Sequence, residues 1–219
     1  PADSVVFDNN SFSVANQSVD LETYDAYCGD FVITPNTSFN LDWSNQASLQ
    51  VFRDMVLQPG LQMSGSSNAF LEFKGPDSAY FNPAGVSINL HINIEKSDYA
   101  TLDVLDSIYT LRSFNVFNGG LRTFGNSYNI NSINLEDRGD STWAKVDSSI
   151  FKIWGSWNTF NINSTDIGWK SDGATVYLTS DRSQARIYTL DTVEHIEFTN
   201  ENSLDYNSLR SGQNSHIHF

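Results

Sequence analysis

Four polar residues near the middle of the chain carry hydrogen-bond donors and acceptors, an acid and an imidazole: Asn89, His91, Asn93 and Glu95. They alternate with aliphatic residues throughout the segment 86–95, which predicts a single β-strand with one buried side. On the other side, the polar side chains would repeat about every 7 Å along the strand. Such a row suits three surroundings: glycan hydroxyls, a neighbouring subunit, or bulk water.

An enzyme built on this strand would use His91 and Glu95 as its acid and base. The spacing His91-x-Asn93-x-Glu95 resembles, in position, the Glu-x-Asp-x-Glu strand of laminarinase-like glycoside hydrolases. The mechanism of that family needs two carboxylates that flank the scissile bond, and this strand keeps only the last acid. We therefore predict no catalytic residues, and keep a polysaccharide-degrading glycoside hydrolase or lyase as the second alternative function.

Tryptophan residues are concentrated in the second half of the chain, and Trp157 and Trp169 are the candidates for ligand binding. Tryptophan rings stack on the C–H faces of sugars, while neighbouring amides bind the hydroxyls. The alternation of "SIFKIWGSWNTFNI" places about half of these rings in a core. Trp157 follows the turn-like Gly155-Ser156, which favours its exposure.

The sequence Arg138-Gly139-Asp140 is the tripeptide that integrins recognise when it lies at an exposed loop tip. The alternative interpretation is an ordinary polar turn. Acid-rich segments at 20–25, 136–140 and 171–173 offer oxygen ligands for calcium, although none has the spacing of an EF-hand loop. Calcium is the only cofactor that the sequence suggests, and its ligands stay unassigned.

Composition excludes several classes of partner. The net charge of −14, with only 12 Lys and Arg residues among 219, argues against binding to nucleic acid. No apolar stretch is long enough for a membrane helix, which argues against membrane insertion. Cys28 is the only cysteine, so no intrachain disulfide can form. Abundant Asn, Ser, Thr and aromatic residues are typical of extracellular, cell-surface or virion proteins.

Short alternating segments bounded by Gly, Asn, Asp and Ser predict an all-β fold. The candidate strands are 4–7, 11–14, 31–34, 69–74, 86–95, 113–117, 129–135, 150–154, 159–163, 175–179, 186–190 and 193–198, with short helices at 44–57 and 98–111. In the second helix Leu102, Leu105 and Ile108 share the apolar side, and a strand over the second half of 98–111 is the alternative. We expect one antiparallel β-sandwich domain over 1–219, of jelly-roll or concanavalin-like form, with a polar tail near 207–219. Segments beginning at Gly60 and Gly120 share Gly-Leu-x-x-x-Gly, a match that we attribute to chance.

These patterns favour a non-catalytic extracellular or surface module that recognises carbohydrate or a cell surface. The first alternative is a structural subunit of a capsid, spike or fibre. The expected partner is a glycan or a protein, and the chain is compatible with a homo-oligomer. The negative charge favours neutral glycans over polyanionic ones.

Overall fold

A computed structural model describes residues 3–14, 17–22, 25–34, 39–43, 46–66, 68–97, 99–136, 138, 142–155, 160–163, 167–170, 174–178, 185–188, 197–200 and 209–211. Within these ranges the regular structure is β-strand throughout. The strands, in chain order, are β1 (Val5–Phe7), β2 (Gln17–Leu21), β3 (Ala26–Cys28), β4 (Phe31–Ile33), β5 (Phe39–Trp43), β6 (Ser48–Val51), β7 (Met55–Val56), β8 (Gln62–Gly65), β9 (Phe70–Gly75), β10 (Ala79–Asn82), β11 (Ser87–Ile88), β12 (His91–Lys96), β13 (Thr101–Val104), β14 (Ile108–Thr110), β15 (Ser113–Phe124), β16 (Ser127–Ile130), β17 (Ser132–Leu135), β18 (Thr142–Asp147), β19 (Ile150–Ile153), β20 (Phe160–Asn163), β21 (Gly168–Lys170), β22 (Thr175–Leu178), β23 (Ala185–Tyr188), β24 (Glu197–Asn200) and β25 (Leu209–Ser211).

The strands form three parallel faces around one core. Face 1 contains β1, β4, β7, β10, β13, β18 and β21. Face 2 contains β2, β5, β8, β11, β14, β16, β19, β22 and β24. Face 3 contains β3, β6, β9, β12, β17, β20, β23 and β25. The long strand β15 begins on face 3 and turns onto face 1.

Each strand pairs with the strand one coil later, at offsets between 19 residues (Thr101 with Gly120) and 27 residues (Ile133 with Phe160). All of these pairs are parallel. The protein is therefore a β-solenoid. The predicted antiparallel β-sandwich, whether jelly-roll or concanavalin-like, is wrong. The alternation of apolar and polar residues suggested antiparallel strands because most parallel sheets are buried on both sides. In a solenoid, each parallel face is covered on its inner side only, so its strands alternate as those of an antiparallel sheet do.

The two predicted helices are also wrong, whereas the alternative of a strand in the second half of 98–111 is confirmed by β14. The segment 44–57 contains β6 and β7, and the segment 98–111 contains β13 and β14. Leu105, which a helix over 98–111 would place on its apolar side with Leu102 and Ile108, is 46% exposed just after β13. The strands here are so short that turns between them mimic the helical spacing of apolar residues.

The strand predicted over 86–95 is two strands on different faces. Ser87 and Ile88 form β11 on face 2, and the chain turns at Asn89 and Leu90 before β12 begins at His91 on face 3. The inward side of the prediction is confirmed, because Ile88, Leu90, Ile92 and Ile94 are fully buried. Alternation thus continues through a solenoid corner without any break in the sequence.

Apolar columns run along the inside of the solenoid. On face 3, Leu71 pairs with Ile92, Ile92 with Phe114 and Ile133 with Phe160, and all of them are buried. Each large side chain of this kind contributes about 1.5 to 3 kcal/mol when it leaves water. Gly60 and Gly120 lie on unrelated parts of the coil, since Gly60 precedes β8 on face 2 and Gly120 lies in β15 on face 1.

Candidate functional site

Face 3 carries a column of asparagines on its outer side, which we call the asparagine ladder: Asn93, Asn115, Asn134 and Asn161. Asn115 Nδ2 donates to Asn93 Oδ1 at 2.8 Å, and Asn134 Nδ2 donates to Asn115 Oδ1 at 2.8 Å. Parallel strands place these amides about 4.8 Å apart along the solenoid axis. The ladder is therefore a regular row of identical polar groups.

The ladder bonds leave part of each amide unused. An asparagine amide has two N–H donors and an oxygen with two lone pairs, and each ladder bond uses one donor and one lone pair. Asn93 and Asn115 are only 5% and 8% exposed, whereas the side chains of Lys74 and Glu95 beside them are 26% and 27% exposed. The ladder consequently forms the floor of a shallow trough.

One side of the trough is aromatic. Phe70 and His91 lie opposite each other on β9 and β12, and their rings are stacked with centroids 5.3 Å apart. Further along the same side, Ser132 Oγ donates to Ser113 Oγ at 2.8 Å. We call Phe70 and His91 the aromatic rim.

The other side of the trough is ionic. Lys74 Nζ lies 3.1 Å from a carboxylate oxygen of Glu95 and 3.3 Å from one of Glu72. Burial by itself would lower the pKa of Lys74, but the hydrogen bond to Glu95 and the charges of Glu72 and Glu95 outweigh it, so the pKa lies above its ordinary value. Lys74 is therefore a fixed cation between two acids and is unsuited to act as a base.

Arg138 continues this ionic rim. Its guanidinium lies 3.4 Å from the centroid of the Phe117 ring, 3.4 Å from a carboxylate oxygen of Glu136 and 3.9 Å from one of Glu95. Gly139 and Asp140, the other residues of the predicted cell-attachment tripeptide, lie outside the described residues. Integrin recognition by this tripeptide stays a prediction, in which Arg138 would have to leave these contacts.

His91 and Glu95, the two candidates for an acid–base pair, do not meet. They lie on one strand, four residues and thus about 13 Å apart, with His91 stacked on Phe70 and Glu95 bound to Lys74. The strand that resembles the laminarinase-like pattern has a second carboxylate nearby in Glu72. However, the Lys74 ammonium contacts both acids and offsets one of their two negative charges.

The remaining candidates lie away from the trough. Asn89 is half-buried at the corner between faces 2 and 3, and its Oδ1 accepts no hydrogen bond from the described residues. Trp169 is 1% exposed and packs edge-on against Phe160 in the core, with ring centroids 5.3 Å apart. Trp157 lies outside the described residues. Of the predicted ligand-binding residues, the structure brings His91, Asn93 and Glu95 together on one face.

Asn115, Asn134 and Asn161 were not identified from the sequence as site residues, although a signal for them exists. Each follows one apolar residue and precedes another, in Phe114-Asn115-Val116, Ile133-Asn134-Leu135 and Phe160-Asn161-Ile162, as Asn93 does between Ile92 and Ile94. The offsets between these triplets match one solenoid coil. A search for recurring triplets, in place of pairs of glycines, would have found the ladder.

Within the described residues, no three His, Cys, Asp or Glu side chains converge to hold a metal ion. The same part of the chain contains no helix that is long and apolar enough to cross a membrane. Comparison of the chain with known protein families, with curated proteins and with solved structures found no match. Function is therefore inferred from the molecule's own geometry.

Proposed function

We propose that the protein is a non-catalytic recognition module of an extracellular, cell or virion surface, and that it binds a neutral glycan chain along the trough of face 3. The observation that carries this proposal is the asparagine ladder. Amide groups repeat along the solenoid axis, so that a polymer laid in the same direction meets one after another. The unused N–H and lone pair of each amide match the paired donor and acceptor of a sugar hydroxyl.

The two rims suit the same ligand. The Phe70 and His91 rings offer an apolar edge against the C–H face of a sugar ring. On the opposite side, Lys74 and Arg138 neutralise most of the charge of Glu72, Glu95 and Glu136. The trough thus carries little net charge although the chain as a whole carries −14. This balance favours neutral over strongly anionic polysaccharides.

The test is binding to a panel of immobilised neutral glycans, with and without calcium, by the intact protein and by matched variants. Asn134→Ala removes a half-buried amide from the trough. Asn129→Ala removes a half-buried amide from face 2 of the same coil and is the control. We expect Asn134→Ala to weaken binding about tenfold, as the loss of one to two hydrogen bonds implies, and Asn129→Ala to leave it unchanged.

A second variant, His91→Ala, removes one ring of the aromatic rim and should also weaken binding. Assaying the same glycans for released reducing ends separates binding from cleavage. The proposal fails if no neutral glycan binds, if Asn129→Ala weakens binding as much as Asn134→Ala, or if the protein cleaves the glycan that it binds.

A further inference from the structure

The asparagine ladder repeats along the solenoid axis without a break in register. Asn93 pairs with Asn115, Asn115 with Asn134 and Asn134 with Asn161. The two ladder bonds run in the same sense, because in each of them an Nδ2 donates to the Oδ1 of the preceding coil. The bonded amides therefore share one orientation, and their unused donors and acceptors recur at the strand separation of about 4.8 Å.

The ionic rim beside the ladder has no such repeat. The register between β12 and β15 shifts after Ile94, so that Glu95 lies opposite Asn118 instead of Phe117. Charged groups on this side are therefore unevenly spaced along the axis. A long ligand that lies in the trough has to match the spacing of the ladder, since the ladder alone presents the same group on every coil from β12 to β20.

Charged residues bound the ladder at both ends of the same column. Glu72 precedes Asn93 in register, and Arg186 follows Asn161. Between them the column consists of four asparagines on successive coils. Four rungs span three strand separations, or about 14 Å. A neutral chain laid along the column thus meets four uncharged amides before it reaches a charged position.

An extended glycan matches this repeat. In a β-1,4-linked chain of pyranoses, both bonds to each ring are equatorial and lie at opposite ends of the ring. The ring and its linking oxygen then advance along the chain by nearly one strand separation per sugar. Successive sugars face opposite ways, so one edge of the chain presents ring hydroxyls and hydroxymethyl groups in turn. Each of these hydroxyls donates and accepts, so an amide with one free donor and one free acceptor binds either.

The aromatic rim suits a chain that stands on this hydroxyl edge. The stacked rings of Phe70 and His91 lie on one side of the column, near its first rung at Asn93. A ribbon with its hydroxyls on the ladder turns the C–H face of its first sugar toward these rings, and C–H faces pack well against aromatic side chains. The floor and the rim therefore bind different surfaces of the same extended chain.

We propose that the trough is specific for extended, equatorially linked neutral glycans of the β-1,4 type, with one sugar on each rung and four sugars on the ladder. This inference rests on the proposed function, because it names the class of glycan that the trough of face 3 binds. A chain with an axial linkage, such as an α-1,4-linked glucan, curls into a helix. Its hydroxyls leave the line of the ladder after one or two rungs, so the remaining amides are not contacted.

Titration calorimetry of the intact protein with soluble gluco-oligosaccharides of two to six sugars tests the linkage and the length. The β-1,4 and α-1,4 series are matched ligands, because they differ only in the configuration of the linkage. In the β series we expect affinity to rise about twofold to tenfold with each sugar from the second to the fourth, as one more hydrogen bond implies. From the fourth to the sixth sugar it should change little. The α-linked tetrasaccharide should bind at least about tenfold more weakly than the β-linked one.

The same titrations with Asn134→Ala test whether the ladder causes the length dependence. This variant interrupts the ladder at its third rung, so it should remove most of the gain in affinity between two and four β-linked sugars. The control Asn129→Ala, which changes an amide on face 2, should keep the whole length dependence. Circular dichroism confirms that both variants are folded, and the two ligand series on the intact protein test the proposal without any variant.

Failure of this inference and failure of the proposed function give different results. Equal affinity for the two series, binding of axially linked glycans only, or affinity that stops rising at two sugars overturns the inference, while glycan binding stands. If no neutral glycan binds, the proposed function itself fails. A length dependence in the β series that Asn134→Ala leaves intact would show that the sugars bind away from the ladder, which contradicts both.

Discussion

Lys96 lies where face 3 turns toward face 1, and it is fully buried. Its Nζ donates to the carbonyl oxygens of Lys74 at 2.9 Å and Phe52 at 3.0 Å, which belong to the two preceding coils. Burial lowers the pKa of Lys96 to about 8, although the charges of Asp77 and Asp54 oppose the shift. The side chain ties three coils together, and the free energy of burying its charge opposes that stabilisation.

This residue gives a prediction about pH. In the unfolded chain Lys96 keeps its proton up to its ordinary pKa of 10.5, while in the folded chain it loses the proton above about pH 8. Between these values the unfolded state binds more protons, so the contribution of Lys96 to the free energy of unfolding rises with pH. Relative to Lys96→Met, the intact protein should gain up to about 3 kcal/mol over this window.

Urea unfolding at several pH values checks this prediction, and Lys152→Met, which removes an exposed lysine from face 2, is the control for the loss of one positive charge. A constant difference between the intact protein and Lys96→Met from pH 8 to pH 10.5 would show that the buried amine does not titrate as we expect.

At the scale of the element, β15 changes face at Gly119, where φ is +78°. A Cβ at this position would lie 2.6 Å from Lys96 Cβ and 2.7 Å from Ala100 O. Gly60 has a similar φ of +93°, but nothing lies within 4 Å of its Cβ position. Comparing alanine substitutions at the two glycines therefore distinguishes the free energy of backbone strain from that of steric overlap.

We predict that Gly119→Ala lowers the free energy of unfolding by about 3 kcal/mol or more, since backbone strain and overlap add. Gly60→Ala should lower it by about 1 to 2 kcal/mol through strain alone. Urea denaturation midpoints with unchanged m-values measure both effects. Equal losses for the two variants would mean that the corner at Gly119 relaxes to accept a methyl group.

The same corners explain how far the sequence could predict the elements. Alternation correctly identified the inward residues from Val86 to Ile94, because this segment buries one side of its strands in the core. It could not identify the corner at Asn89, since the chain turns there without a glycine, a proline or a break in the pattern. It also could not distinguish parallel from antiparallel pairing, which depends on contacts about 19 to 27 residues away.

The candidate site was predictable in part for a similar reason. His91, Asn93 and Glu95 are neighbours along one strand, so local spacing was enough to place them on one face. Their partners Asn115 and Lys74 belong to other coils. Only the register between coils brings them together, and that register follows from the whole set of strands.

At the scale of the whole molecule, the described strands of each coil pair with strands of the coils before and after it. The strand β12 pairs with β9 and β15, and β5 pairs with β2 and β8. Stability in such an array is close to a sum of terms for each coil and for its two neighbours. A mutation that destabilises one coil should therefore also destabilise the adjacent coils and have a smaller effect on coils further away.

Two cavity variants test this with hydrogen exchange. Ile94→Ala empties part of the core behind β12, and Leu41→Ala does the same behind β5, where both side chains are fully buried. Each should cost about 2 to 5 kcal/mol locally. We predict that Ile94→Ala accelerates exchange in β9, β12 and β15 more than in β2, and that Leu41→Ala accelerates it in β2, β5 and β8 more than in β17. Uniform acceleration along the chain in both variants would instead show that the solenoid opens as a single cooperative unit.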